Sequence, residues 1–326
     1  MILDSHLDTP GKLLKEHLNP GIDNPGAQVD FPKMKAGGVE GGFFALYTPP
    51  EMEPDCATRY ALEMLSATYD ACEDNADYAV LCFGPDEVEN NRKKGLISVF
   101  MGMENASPIQ ESLSLLRTFY RLGVSYVTLT HNGDNAVADS AAEGKRWGGL
   151  SPFGREVVAQ MNALGMMVDL SHASDKTFWD CLEVSKAPII ATHSSCRALC
   201  GHRRNLTDEM LKALGEKDGY VGINFYPYFL SDSFDPAKPS TFPGVKEIVD
   251  HIDHAVRLAG IDHVGIGSDF DGIEVTPEGL EDISKIGEIQ AEMRRRGYSE
   301  TDILKVSGQN LLDVWFRIVN RSELSR

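Results

Sequence analysis

The segment Asp4-Ser-His6-Leu-Asp8 follows a short apolar run, and the same pairing of apolar run and ligand-type side chain recurs around Glu104, His131, His172, His193 and Asp269. Such a recurrence points to one polar site built at the ends of several strands. His6 and Asp8 are two positions apart, so on an extended segment both side chains leave the backbone on the same side. Imidazole nitrogen and carboxylate oxygen are donors that borderline-soft zinc accepts, and three histidines, one aspartate and one glutamate can hold two such ions if the glutamate bridges. On that reading His6 and Asp8 serve one Zn2+, His172 and His193 serve the other, and Glu104 lies between them. Two ions roughly 3.5 to 4 Å apart share a hydroxide and polarise a carbonyl or phosphoryl oxygen, which makes metal-assisted hydrolysis the leading reaction class.

The elements that must position these residues are short β-branched or apolar runs alternating with longer stretches of helical periodicity, the pattern of βα units around a parallel sheet. Eight runs are read as strands: Ile2 to Ser5, Gly41 to Leu46, Leu96 to Met101, Val124 to Leu129, Met166 to Leu170, Pro188 to Ala191, Tyr220 to Asn224 and His263 to Gly267. Helices are expected over Pro108 to Arg121, Ser151 to Leu164, Asp175 to Ser185, Asp208 to Leu214 and Val245 to Ala259, with Gly123, Gly165 and Gly260 as C-terminal caps. Eight such units predict an α/β fold of the (β/α)8 TIM-barrel type, in which the C-terminal ends of all strands converge on one mouth. No G-x-G-x-x-G follows the first strand, so a dinucleotide-binding fold has little support. All 326 residues are expected in one barrel domain, with an excursion at about 48–95 that holds a helix from Ala57 to Ala71 and an extra strand near Ala79 to Phe83. The Pro- and aromatic-rich stretch at about 226–244 is a candidate lid on the catalytic face.

Composition narrows the class further. Hydrophobic residues at 42% and charged residues at 25% are ordinary for a soluble globular protein. A net charge of −18 argues against nucleic acid as a partner, since that binding depends on basic side chains. No run is long enough to span a membrane and no secretion signal is visible, so a cytoplasmic, unanchored protein is expected. Six cysteines, at positions 56, 72, 82, 181, 196 and 200, contain no Cys-x-x-Cys pair. Cys196 and Cys200 lie near His193, but a zinc knuckle would lack its second pair of ligands, so free thiols are expected.

Seven stretches, taken together, carry a resemblance: Asp4-Ser-His6-Leu-Asp8, Gly102-Met-Glu104-Asn, Leu129-Thr-His131-Asn, Asp169-Leu-Ser-His172-Ala-Ser, Thr192-His193-Ser-Ser, Arg203-Arg204-Asn205-Leu and Gly267-Ser-Asp269-Phe-Asp271-Gly. The chain resembles the membrane (renal) dipeptidase family of binuclear zinc peptidases, in particular its bacterial, unanchored members, over nearly its whole length. The resemblance implies two Zn2+ per chain, one at His6 and Asp8, one at His172 and His193, bridged by Glu104 and a hydroxide. It implies that His131 contacts substrate and steadies the oxyanion, that Arg204 grips the substrate carboxylate, and that Asp269 moves a proton from the attacking water to the leaving amine. A substrate-contacting tyrosine is implied near Tyr226, Tyr228 and Phe229; Tyr226 is taken as the candidate, with the choice among the three left open. The implied substrate is a small dipeptide, L-Xaa-L-Xaa or L-Xaa-D-Xaa, and the implied assembly is a homodimer.

Blander readings stand beside each of these. A lone histidine after a strand is more often a structural hydrogen-bonded residue, and His17, His202, His251, His254 and His263 are read that way. Glu104 alone could be a charge at a helix N-terminus. His131 could cap the turn Asn132-Gly-Asp-Asn135, Arg204 could belong to a solvated basic pair with Arg203, and one of Asp269 and Asp271 could merely shape a turn. Two other functions remain open: a binuclear amidohydrolase acting on a lactone, cyclic amide or phosphoester, and a non-catalytic binding protein on the same fold. The first would normally place a lysine after a barrel strand where Glu104 stands, and the second would have lost ligands.

Overall fold

The computed structural model describes residues 1–142 and 145–323. Among these, nine strands form one sheet: β1 Leu3–Leu7, β2 Gly41–Tyr47, β3 Ala79–Leu81, β4 Ile97–Glu104, β5 Val124–Thr128, β6 Met167–Asp169, β7 Ile189–Ser194, β8 Tyr220–Ile223 and β9 Val264–Ile266. Eight of them run in the order β1-β2-β4-β5-β6-β7-β8-β9, every pair parallel. The ring closes just beyond β9, where Asp269 N donates to His6 O and Asp8 N donates to Phe270 O. This is the (β/α)8 barrel that the alternation of runs predicts. The extra strand β3 pairs with the first part of β4, from Ala79 against Ile97 to Leu81 against Val99, while β5 pairs with β4 from Met101 onward. It therefore extends the sheet beside the ring without entering it.

Two apolar layers hold the ring. Leu3, Phe43, Phe100, Tyr126, Met167, Ile190 and Tyr220 fill the barrel interior and meet Trp315 of the C-terminal helix Asn310–Val319, which plugs the floor. Phe100 and Trp315 meet edge to face at 4.9 Å between ring centroids, a favoured aromatic geometry. The second layer lies between the strands and the outer helices, and because both strand faces are covered the strands read as continuous apolar runs. Ser151, Ser174 and Thr207 cap their helices by accepting from the N–H of Gly154, Thr177 and Met210. Gly165 ends helix Pro152–Leu164 in the left-handed region at φ 76°, as expected of a C-terminal cap.

Three departures have local causes. The helix expected over Pro108 to Arg121 is two pieces, Ser107–Ile109 and Leu113–Arg121, because Gln110 turns to φ 54° and the Ser112 hydroxyl starts the second piece by accepting from Leu115 N. The excursion helix is longer than expected, Pro54–Asp74, and buries Ala57, Ala61, Met64, Leu65 and Thr68. After β9 the chain adds helices Gly287–Arg295, Glu300–Leu304 and Asn310–Val319, none of them anticipated. The stretch at 226–244 carries a short helix, Pro227–Leu230, and a chain of ring contacts from Tyr226 through Tyr228 and Phe234 to Phe242.

His251 joins three elements and illustrates the structural reading of a histidine. Its Nδ1 accepts from Cys196 N at 3.0 Å and its Nε2 donates to Leu230 O at 3.1 Å. Burial pushes its pKa from 6.5 down to about 4, so the imidazole is neutral in the folded protein. An unfolded chain takes up a proton here as pH falls below about 6.5 while the folded one does not, so this contribution is full above that pH and is lost on acidification toward pH ~4, at most about 3 kcal/mol. A His251→Leu variant is expected to be less stable at pH 7 yet to lose less of its melting temperature between pH 7 and pH 5 than the unsubstituted protein. Parallel acid slopes in the two melting series would show that His251 is not the group that titrates.

Candidate metal centre

The three strands that carry ligand-type residues inside them break register next to those residues. The shift between β1 and β2 falls between Asp4 and Leu7, around His6; that between β4 and β5 falls at Met101/Gly102, two residues before Glu104; that between β7 and β8 falls between Ala191 and Ser194, around His193. Irregularities of this kind re-aim a side chain at the rim of a barrel. At β1 the opened ladder is satisfied by Asp4, whose Oδ1 accepts from the N–H of His6 and of Ser268 at 3.0 Å each. Two further residues of the mouth, His172 and Asp269, sit in the left-handed region at φ 66°. For residues other than glycine that conformation costs about 1–2 kcal/mol, so the surrounding loops fix both side chains against their own preference.

Glu104 ends β4 at the centre of the mouth and is 3% exposed. Its Oε2 stands 3.6 Å from His6 Nε2, which is itself 3.5 Å from Asp8 Oδ2. Its Oε1 stands 3.1 Å from His172 Nε2 and 3.4 Å from His193 Nε2, and those two nitrogens are 3.0 Å apart. One carboxylate thus divides its oxygens between two clusters. Donor separations of this size are those of a tetrahedron with bonds near ~2.0 Å, the zinc distance for nitrogen and oxygen. His6, Asp8 and Glu104 form one group whose donor atoms all lie within 4.8 Å of one another. Asp269 with His6 and His193, and His131 with Glu104 and His172, satisfy the same limit, so both also border the centre.

The far nitrogens of the imidazoles are held by the protein. His6 Nδ1 pairs with Tyr126 OH at 2.8 Å, His172 Nδ1 with Asn132 Oδ1 at 3.1 Å, and His193 Nδ1 with Thr192 Oγ1 at 2.9 Å. That leaves the Nε2 atoms converging, as in metal-binding histidines, whose far ring nitrogen is held by a hydrogen bond. His6 Nε2, Asp8 Oδ1 and Asp4 Oδ2 are buried without a hydrogen-bond partner. An unsatisfied buried polar atom costs about 1–3 kcal/mol. The unpartnered atoms of His6 and Asp8, residues that form one donor group with Glu104, fit a cation.

The electrostatics agree with that fit. Burial pushes the pKa values of His172, His193 and His131 down, so all three are neutral and carry a lone pair at neutral pH. Burial alone would raise Glu104, yet His6, His172 and His193 hold it well below the usual carboxylate range. Asp8 is pushed well up by burial and by the Glu104 charge. Burial would lower His6, yet the Glu104 and Asp8 carboxylates hold it well above its ordinary value, so a positive charge is favoured at the point where its Nε2 faces them.

A cavity of about 450 Å3 opens above this cluster, lined by Asp8, Tyr47, Glu104, His131, His172, Tyr226, Phe229 and Asp269 among others. His131 lies against His172 at 4.2 Å and edge-on to Tyr47 at 4.7 Å between ring centroids. The Asp269 carboxylate accepts from Asn224 Nδ2 at 2.9 Å. Arg204 is buried while Arg203 is exposed, so the two are not a solvated pair. Its guanidinium donates to His193 O at 3.0 Å and lies over Phe229 at 5.3 Å, and its Nε is unpartnered. Of the three loop aromatics, Tyr226 and Phe229 line the cavity, and Tyr226 OH donates to Glu274 Oε1 at 2.6 Å. Asp271 ties this loop to the N-terminal part of the chain, accepting from Thr9 Oγ1 and Gln28 N. Cys196 and Cys200 are free thiols. Tyr47, Tyr126, Asn132, Asp169 and Asn224 escaped the sequence reading; Tyr47 and Asn224 stand at C-terminal strand ends and could have been flagged on that ground alone.

A parallel barrel whose C-terminal mouth gathers imidazoles and carboxylates around orphaned donor atoms is the architecture of a metal-dependent hydrolase. The family model for membrane dipeptidase, peptidase family M19, matches residues 1–325. An uncharacterized dipeptidase of Schizosaccharomyces pombe is 36% identical over 332 residues, covering 96% of this chain and 80% of that one. Two crystal structures superpose closely. A metallo peptidase from Rhodobacter sphaeroides, liganded with a phosphinate mimic of the dipeptide L-Ala-D-Ala, has a TM-score of 0.90 at 30% identity, with 97% of this chain and 99% of that chain covered. The probable dipeptidase PvdM from Pseudomonas aeruginosa has a TM-score of 0.91 at 27% identity, with 99% and 96% covered. The chain belongs to the membrane dipeptidase family, M19, and is by class a metallo-dipeptidase. Despite the family's name, no helix among the described residues is long and apolar enough to cross a membrane.

Proposed function

We propose that this protein hydrolyses the peptide bond of small dipeptides, L-Xaa-L-Xaa or L-Xaa-D-Xaa, with two zinc ions held by His6, Asp8, Glu104, His172 and His193. The observation that carries the reading is the division of the Glu104 oxygens between the His6/Asp8 pair and the His172/His193 pair. When bound, such a pair of ions supplies Lewis acidity and a water acidic enough to act as nucleophile near neutral pH. The chain's own residues do the rest. Arg204 offers its unpartnered Nε toward the substrate carboxylate, and its planar fork suits that group. His131, neutral and bordering the centre, donates to the oxygen that gains charge as the carbonyl becomes tetrahedral. Asp269 takes the proton of the attacking water and hands it to the leaving amine, its carboxylate kept in place by Asn224. Tyr226 closes the cavity beside Glu274. Arg204 and Asp269 together read both ends of a substrate two residues long, and the L-Ala-D-Ala mimic bound by the Rhodobacter relative supports that length.

The test is a substrate panel: L-Ala-L-Ala, L-Ala-D-Ala, D-Ala-L-Ala and a tripeptide, offered to protein stripped of metal and then given two equivalents of zinc. Zinc-dependent cleavage of dipeptides but not of the tripeptide is expected. Silence across the panel with two zincs bound would overturn the substrate assignment. Asp269→Asn is expected to lower kcat by roughly 10²–10⁴-fold, the usual worth of a general acid-base group. The metal content of that variant should stay at the level of the unsubstituted protein; a wild-type kcat would remove Asp269 from the proton path.

A further inference from the structure

The buried carboxylate of Asp169 touches no histidine of the mouth, yet it holds Ser171 and Thr192, the residues that precede His172 and His193 in the chain. It ends β6, has no exposed surface and accepts five bonds. Oδ1 takes Ser171 N at 3.1 Å, Ser171 Oγ at 3.0 Å and Thr192 N at 2.8 Å; Oδ2 takes Thr128 Oγ1 at 2.5 Å and Thr192 Oγ1 at 2.7 Å. A hydroxyl has one proton to give. Since Thr192 gives its proton to Asp169, its oxygen can only accept from His193 Nδ1, 2.9 Å away. His193 must then carry its proton on Nδ1 and present a lone pair on Nε2, toward Glu104 and His172. Ser171 works the same way: it donates to Asp169 and accepts from His193 N at 3.0 Å, fixing the backbone just before His172 to that of His193.

We propose that Asp169 is a positioning residue that sets the tautomer of His193 through Thr192, and thereby keeps the His172/His193 cluster competent to take a metal ion. The proposal rests on the reading that these two histidines hold metal. Its sharpest consequence concerns Asp169→Asn. The oxygen of the new amide must face the two backbone N–H groups, which cannot reverse, so its NH2 faces the two threonine hydroxyls. Thr192 then accepts from the amide and turns its own proton to His193 Nδ1. His193 moves its proton to Nε2, where it blocks the metal.

The experiment is a metal titration against a chromophoric chelator, with 15N spectra of histidine-labelled, metal-free protein. Asp169→Asn is expected to bind zinc at the His172/His193 cluster about 10–100-fold less tightly, the usual cost of losing a partner that orients a metal ligand, and to show the His193 ring nitrogens with their protonation exchanged. Thr192→Val and Thr192→Ser carry the test if Asp169→Asn does not fold: Val removes the relay hydroxyl and should weaken zinc, while Ser keeps it and should not. Unchanged zinc affinity and an unchanged His193 tautomer in Asp169→Asn, or equal affinities in the Val and Ser variants, would overturn the relay. His193→Ala separates this failure from that of the parent reading. If it binds as much zinc as the unsubstituted protein, the ligand assignment fails; if it loses zinc while the relay variants do not, the relay alone fails.

Discussion

Glu104→Gln is expected to lower kcat/KM by roughly 10³-fold or more, about 4 kcal/mol of transition-state stabilisation, and to remove most of the bound zinc from both clusters at once. The reason is the placement of its two oxygens, one toward His6 and Asp8, the other toward His172 and His193. An amide has one good acceptor, and its NH2 directs protons at whichever cluster it faces. A ligand that served one cluster alone would leave the other filled, so the metal content after dialysis distinguishes a bridge from a terminal ligand. One full equivalent of tightly held zinc in the variant would refute the bridging role. Zinc should also raise the melting temperature of the unsubstituted protein by mass action, and that rise should vanish in Glu104→Gln. The metal-free melts must be compared first, because replacing a buried carboxylate set among three imidazoles costs stability by itself.

The barrel was legible because strands covered on both faces read as apolar runs, and the mouth was legible because a histidine or carboxylate follows six of the eight runs at the same end. Strand ends were not. The apolar runs predict that β1 stops at Ser5, β4 at Met101 and β7 at Ala191, whereas they run on to Leu7, Glu104 and Ser194. A polar residue looks like the end of a strand when polarity is taken to mean solvent. Here the polar side chains face a buried centre, and the backbone goes on pairing beneath them. The register shifts around His6, Glu104 and His193 lay equally out of reach, since they depend on which strand lies alongside.

The supporting residues were hidden for a related reason. Tyr126 and Asp169 sit inside runs that read as strand, and nothing in their spacing gives either one a partner across the barrel. Arg203 and Arg204 are neighbours of one type with opposite fates, one exposed and one buried against His193 O, and no local pattern distinguishes them. The family resemblance chose Arg204. The helix break at Gln110 was missed because periodicity continues across it and the Ser112 cap was read as an interior residue.

Gly102→Ala places a methyl group where the wall of the site has no room for it, and it should cost both stability and metal. A Cβ at this position would stand 2.0, 2.3 and 2.4 Å from three atoms of the Tyr126 ring, so the ring now lies flat across the bare backbone. The ring has little room to retreat, since it is fully buried and packs with Phe43 at 5.4 Å between centroids. Overpacking of this kind costs about 1–3 kcal/mol or more. The displaced phenol would also leave His6 Nδ1, which it now meets at 2.8 Å, so the His6/Asp8 cluster should lose zinc affinity together with the loss of stability. Tyr126→Phe separates the two effects: it keeps the ring and its packing, and should weaken zinc about 10–100-fold with a much smaller change in the metal-free melting temperature. Gly102→Ala melting with the unsubstituted protein and holding two ions would mean that the ring has room to move, and that His6 needs no phenol to hold its orientation.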